Sequence, residues 1–92
     1  MNVAILVFNE VEVLDFAGPF EVFSICSCSE QQKLFNVFTV SEQPEITARN
    51  GLVVKSHYTL DTAPHTDLLV IPCGLGAATI EMYSQRLREW LL

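Results

Sequence analysis

The sequence predicts an α/β domain built on an open, doubly wound, mostly parallel sheet. Three features carry this. Residues 3–8 (Val-Ala-Ile-Leu-Val-Phe) and 68–71 (Leu-Leu-Val-Ile) are continuous apolar runs, not alternating ones. Strands of that kind are buried on both faces, as in a parallel sheet covered by helices. The second run is followed by Pro72, Cys73, Gly74, Leu75 and Gly76, and then by a helical pattern. Pro72 removes a backbone donor and ends the strand. The glycines let the chain turn tightly and approach a ligand closely. Strand, glycine turn and helix is the layout in which such sheets place a site, at the carboxyl end of a parallel strand.

The first run is expected to be a central strand. A connection carrying Glu10 and Glu12 leads to a helix entrance at residues 15–19, Asp-Phe-Ala-Gly-Pro. Either Asp15 is the N-cap, or Gly18 is, with Pro19 at the favoured first position. Phe16, Phe20, Phe23 and Cys26 then share a face at helical spacing. Residues 24–29 read as a fraying polar end, and 30–33 as a solvated loop. Residues 35–40 read as a strand. Residues 46–49 and 52–55 flank Asn50-Gly51, the strongest short hairpin signal, since a type I′ turn needs two residues at positive φ. Residues 58–64 form a connection, with one helical turn after Thr59. In the last helix, residues 79–92, Ile80, Tyr83, Leu87 and Leu91 share a face. Glu81 lies early and Arg86 and Arg88 late, as the helix dipole prefers.

If the two apolar runs are neighbours and residues 35–40 lie outside the first, the chain reverses its direction of growth between them. Ligands bind at such a switch point. Asp15, beyond one strand, and residues 73–76, beyond the other, then face one crevice.

The chain has 92 residues, half of them apolar and 17% charged, with a net charge of −6. That suits one small globular domain. Its five basic residues are scattered, so it lacks the electrostatic footprint of a nucleic-acid binder. The opening apolar run has no positive flank and is too short for a signal peptide or membrane span. Three cysteines, an odd number, do not form a disulfide framework. A reduced, cytoplasmic protein is expected. Residues 68–71 would form an exposed edge if no strand followed. Each side chain left uncovered there forfeits about 1.5–3 kcal/mol. The closing Trp90, Leu91 and Leu92 also lack cover. A piece of a larger domain, or an obligate oligomer, is expected, and the edge-strand argument favours the former.

Residues 14–23, Leu-Asp-Phe-Ala-Gly-Pro-Phe-Glu-Val-Phe, resemble the "LDxAGPxEVF" opening of the PfpI family, within the class I glutamine amidotransferase-like superfamily and its flavodoxin-like fold. Residues 50–54 resemble that family's hairpin, 67–76 its "DxLxVPGGxG" stretch, and 88–91 the "WL" helix before its nucleophile. The isonitrile hydratase branch and the sensor domains of AraC-type regulators are most similar. The resemblance implies that this chain matches about the first half of such a domain and stops before the elbow cysteine. It implies that Asp15 handles a proton beside the catalytic thiol. It implies that the backbone N–H groups of Gly74 and Leu75 face a developing negative charge, and that Gly18, Cys73 and Gly76 line the substrate. Cys73 stands where the family usually has glycine. If that position needs positive φ, cysteine costs about 1–2 kcal/mol there.

Plainer roles stand beside these. Asp15 can be an N-cap contributing about 1 kcal/mol, and residues 74–76 simply a strand-to-helix turn. Cys73, at a helix N-terminus, could itself be a nucleophile, although an inert buried cysteine is commoner. Cys26 and Cys28 with His57 or His65 could be imagined as a metal site, but C-x-C is not a zinc spacing. The histidines read as loop residues, Glu21 as a first-turn acid. No metal or organic cofactor is implied. The expected partner is a small-molecule substrate or effector, with self-association into a homo-oligomer. Three functions compete: part of a cysteine-dependent enzyme hydrating an isonitrile to an N-substituted formamide, a metabolite-sensing domain, and a non-catalytic remnant that only assembles with itself.

Overall fold

In the computed structural model, which describes residues 1–29 and 32–72, the first apolar run lies at the centre. Every side chain from Val3 to Phe8 is buried, at 0–4% exposure. Strand β1 (Asn2–Leu6) is flanked by β4 (Asn36–Ser41) and β8 (Leu68–Val70), both parallel to it. The register runs from Asn2↔Asn36 to Leu6↔Val40 on one side and from Val3↔Leu68 to Ile5↔Val70 on the other. β7 (Tyr58–Thr59) pairs with β4, also parallel, so the order is β7-β4-β1-β8. The chain thus builds out from β1 to one side and later returns to the other. The expected neighbours and the reversal of direction are both present.

Helix α1 (Val13–Ile25) packs on β1 and β4. Phe16 is buried and Phe20 and Phe23 are half-buried. The Phe23 ring meets Phe35 edge-on at 5.0 Å. The helix begins earlier than its glycine and proline suggest. Its N-cap is Glu12, with no side-chain cap, and Pro19 lies inside it. Neither Asp15 nor Gly18 is the cap. What starts the helix is apolar. Val11 and Phe16, at the N′ and N4 positions of a hydrophobic staple, both enter the main core cluster. Pro19 leaves the carbonyl of Asp15 without its helical donor. Glu21 is therefore well past the first turn, where it was expected.

Two further corrections concern short strands. Residues 27–29 and 32–33, expected as a frayed end and a loop, form an antiparallel pair, β2 (Ser27–Ser29) and β3 (Gln32–Lys33). Tyr58 and Thr59, expected in a connection, extend the main sheet, because the end of β4 offers them a free ladder. The single turn after Thr59 is present, closed by Ala63 N–H donating to the Thr59 carbonyl at 3.0 Å. The Asn50-Gly51 hairpin is also present, as β5 (Glu45–Thr47) and β6 (Val53–Lys55). Asn50 and Gly51 take φ of 65° and 89°. The connection is longer than a two-residue turn: Gly51 N–H donates to the Ala48 carbonyl at 3.1 Å, and Ala48 N–H to the Leu52 carbonyl at 2.7 Å.

β8 is the edge of the described sheet. Leu68 and Ile71 are exposed and Leu69 and Val70 half-buried, whereas its sequence predicts burial on both faces. Its only described neighbour is β1. That pairing is pinned at the amino end by side chains. The Asp67 carboxylate accepts the Asn2 backbone N–H at 2.7 Å. Asp67 N–H donates back to the Asn2 carbonyl at 2.9 Å. The Asn2 amide donates to the His65 carbonyl at 2.7 Å, and its oxygen takes a longer bond from Asn36 on β4. His65 Nε2 lies 3.0 Å from the other Asp67 oxygen.

The Asn2 N–H bond, aided by the hydrogen bond and charge of His65 and only partly opposed by desolvation, holds the Asp67 carboxyl below its ordinary value of 3.8. A carboxylate depressed in the folded state adds stability above its unfolded pKa and loses it as pH falls through the folded one. We expect the melting temperature to fall below about pH 4, and Asp67→Asn to flatten that acid limb. An unchanged acid dependence in the variant contradicts the clamp.

Candidate functional site

The candidate site lies beyond the carboxyl ends of β1 and β8. Past β1, Val7 N–H still donates to the Val40 carbonyl at 2.9 Å. The chain then turns over residues 8–11, closed by Val11 N–H donating to the Phe8 carbonyl at 3.1 Å. Glu10 takes φ of 70° there, a left-handed conformation that costs a non-glycine residue about 1–2 kcal/mol.

The hairpin holds this turn in place. Thr47 N–H donates to Asn9 Oδ1 at 2.9 Å. Glu10 N–H donates to the Thr47 carbonyl at 2.9 Å, and Arg49 N–H to the Val11 carbonyl at 3.0 Å. Arg49 Nη1 meets Glu12 Oε1 at 2.8 Å, both side chains a little under half exposed. Such a pair contributes about 1 kcal/mol at most. Beneath these bonds Ile46 and Ala48 are buried in the same cluster as Val11. The hairpin is thus a brace against the entrance of α1, and the bracing residues Asn9, Thr47 and Arg49 carry no sequence signal beyond the Asn-Gly turn.

Asp15 sits in the first turn of α1, three residues past the N-cap. Its N–H donates to the Glu12 carbonyl at 3.1 Å. The side chain is exposed, and no described residue is hydrogen-bonded to its carboxylate. The helix macrodipole favours a negative group at this place. An exposed carboxylate at a helix start can exchange a proton with a small ligand. On the other side, β8 runs parallel to β1, with Val70 beside Ile5. Cys73, Gly74, Leu75 and Gly76, the other half of the predicted site, lie outside the described residues, as do Trp90 and the helix expected over residues 79–92. Gly18 is mid-helix, and a Cβ there would meet no atom within 4 Å.

The remaining candidates are dispersed. Cys26, a free thiol, follows the last residue of α1 and is half-buried. His65 belongs to the clamp at the opposite, amino end of the sheet. His57 is a strut between β4 and β7. Its Nδ1 accepts the Thr39 N–H at 3.0 Å, its own N–H donates to Thr39 Oγ1 at 3.0 Å, and its ring stacks on Phe20 at 5.9 Å. Accepting at Nδ1 fixes the ring proton on Nε2. Among the described residues no three histidine, cysteine or acidic side chains gather as metal ligands, and no helix is long and apolar enough to cross a membrane.

The strained turn gives a direct check. Glu10→Gly keeps every backbone bond of the brace and removes the left-handed penalty. We expect chemical denaturation to show a gain of about 0.5–1 kcal/mol, the rest being offset by glycine's greater freedom when unfolded. A loss of stability contradicts the geometry.

No family model and no curated protein matches the sequence. Solved structures do. A ThiJ/PfpI family protein from Pseudomonas syringae superposes with a TM-score of 0.78 at 20% identity, over 98% of this chain and 36% of its own. A candidate transcriptional regulator from Vibrio parahaemolyticus gives 0.71 at 17%, over 99% and 49%. A DJ-1 superfamily protein from Agrobacterium tumefaciens gives 0.60 at 16%, over 97% and 48%. The chain thus spans about a third to a half of the length of these proteins. Its mostly parallel α/β fold is the one that ThiJ/PfpI and DJ-1 superfamily proteins share over that portion.

Proposed function

We propose that this chain is the acid-bearing portion of a PfpI-type site for a small molecule, similar to that of isonitrile hydratases. The observation that carries the reading is the parallel pairing of β8 with β1. It puts the carboxyl end of β8 at the same end of the sheet as the turn that leads to α1 and Asp15. In the proposed chemistry Asp15 holds or exchanges a proton with a cysteine thiol and its ligand. The N–H groups of Gly74 and Leu75 stabilise negative charge on the reacting atom, with Gly18, Cys73 and Gly76 at the ligand. No cofactor takes part. The nucleophile belongs to the elbow segment that the resembled family carries and these 92 residues do not, so hydration of an isonitrile to an N-substituted formamide is proposed only for a polypeptide holding both parts.

A second reading, metabolite sensing without turnover, is favoured by the likeness to the Vibrio parahaemolyticus protein, described as a candidate transcriptional regulator. Both readings use the same crevice. They differ in whether the bound molecule is converted or released unchanged.

For the 92 residues alone we expect no isonitrile hydration. Turnover that disappears in Cys73→Ser overturns this and makes Cys73 the nucleophile. In a polypeptide that also carries the elbow cysteine, we expect Asp15→Asn to lower kcat by at least about a hundredfold, the scale of a lost general acid or base. The melting temperature should fall only slightly, since the variant loses just the carboxylate's interaction with the helix dipole, about 0.3–1 kcal/mol. Full activity in the variant reduces Asp15 to a first-turn acid of the helix.

A further inference from the structure

The turn that closes the hairpin carries chemistry of its own. Asn2, Asn9 and Asn36 are followed by Val3, Glu10 and Val37, whereas Asn50 is followed by glycine. Glycine leaves its backbone nitrogen uncrowded, so a neighbouring group can approach it closely. The side chains of Asn2, Asn9 and Asn36 are tied into hydrogen bonds. Asn50 is exposed, and no described residue is hydrogen-bonded to its side chain. A Cβ built on Gly51 would meet no atom within 4 Å, so water reaches the turn freely.

We propose that Asn50-Gly51 is a modification site, at which asparagine converts to isoaspartate when the hairpin lets go of residues 9–11, and that the conversion then keeps the brace from re-forming. In the first step the Gly51 nitrogen bonds to Cγ of Asn50. The bond from Cγ to the side-chain nitrogen breaks, and ammonia leaves with the proton that Gly51 gives up. Water then opens the cyclic imide. Cleavage between the Gly51 nitrogen and Cγ leaves aspartate. Cleavage on the main-chain side routes the backbone through Cβ and Cγ and leaves isoaspartate. Water is the only co-reactant, and nothing is oxidised or reduced.

The folded turn holds the reacting atoms apart. Ring closure needs the Gly51 nitrogen swung round beside Cβ, at ψ of about −120°, outside the regions an L residue ordinarily occupies. Asn50 has ψ of 19°. Gly51 N–H is committed to the Ala48 carbonyl at 3.1 Å, and Ala48 N–H to the Leu52 carbonyl at 2.7 Å. Ala48 is fully buried, and Arg49 N–H is held by the Val11 carbonyl, so the chain before Asn50 cannot follow a rotation. Reaction therefore waits for local opening of the hairpin. Isoaspartate adds a methylene to the main chain inside the turn. The two bonds that close it fit the shorter path, and the hold on Val11 beside them is lost with them.

The full chain, kept near neutral pH, tests this by peptide mapping and by labelling with an isoaspartyl methyltransferase. Neither readout uses a ligand, so the result is independent of the proposed function. We expect conversion at residue 50 to be at least about tenfold slower than in the same chain unfolded in urea. Asn9→Ala, which removes the acceptor of the Thr47 N–H, should speed it about three- to tenfold, the scale of one hydrogen bond of the brace. Glu10→Gly tests the same gate with the opposite sign in a more stable chain, and should slow it about two- to fivefold. The isoaspartate form should melt below the unmodified chain. Asn50→Asp, which keeps the main chain and tolerates this conformation, should melt close to it. A folded rate equal to the unfolded one, a rate indifferent to both variants, or an isoaspartate form that melts with the unmodified chain overturns the proposal.

Discussion

The structure depends on the burial of one strand on every side. A run of six apolar residues from Val3 to Phe8 cannot face water anywhere without losing the burial that stabilises it. It therefore needs cover above and below, and a hydrogen-bonded neighbour on each edge. β4 and β8 supply the edges, and both run parallel to it in the observed register. Once the chain has placed β4 on one side, only the other side remains for β8. The switch in direction arises from this.

Register at one end and bracing at the other fix that arrangement. Asn2 sits between both neighbours and is bonded to each, with Asp67 accepting its N–H. At the far end the hairpin donates to and accepts from residues 9–11. The loop leading to Asp15 is thereby held by backbone bonds and not by its own conformational preference. Glu10 shows the tension directly, since its left-handed φ persists only because Thr47 and Arg49 fix the residues around it.

The sequence made the sheet legible where burial decides the residue type. The two apolar runs, their adjacency, the strand at residues 35–40 and the hairpin are all readable from hydrophobic pattern and turn chemistry. It misled where a strong local signal met a tertiary constraint. Gly18-Pro19 reads as a helix entrance, yet Val11 and Phe16 reach the core before it and carry the helix through the proline. β2, β3 and β7 are too short for any period to mark them. At the site, Asp15 is visible through its motif and its place after a strand. Asn9, Thr47, Arg49 and the His57 strut are not, because each acts through a backbone group of a residue distant in sequence.

The pairing of β8 with β1 bears most of the weight, and it can be measured directly. In a nuclear Overhauser spectrum of the labelled chain, the fold requires backbone contacts between the Ala4 and Leu69 neighbourhoods and between those of Ile5 and Val70, in the staggered pattern of parallel strands. The short facing Hα–Hα contacts of an antiparallel pair, a register shifted by one residue, or no contact at all between the two strands would contradict it.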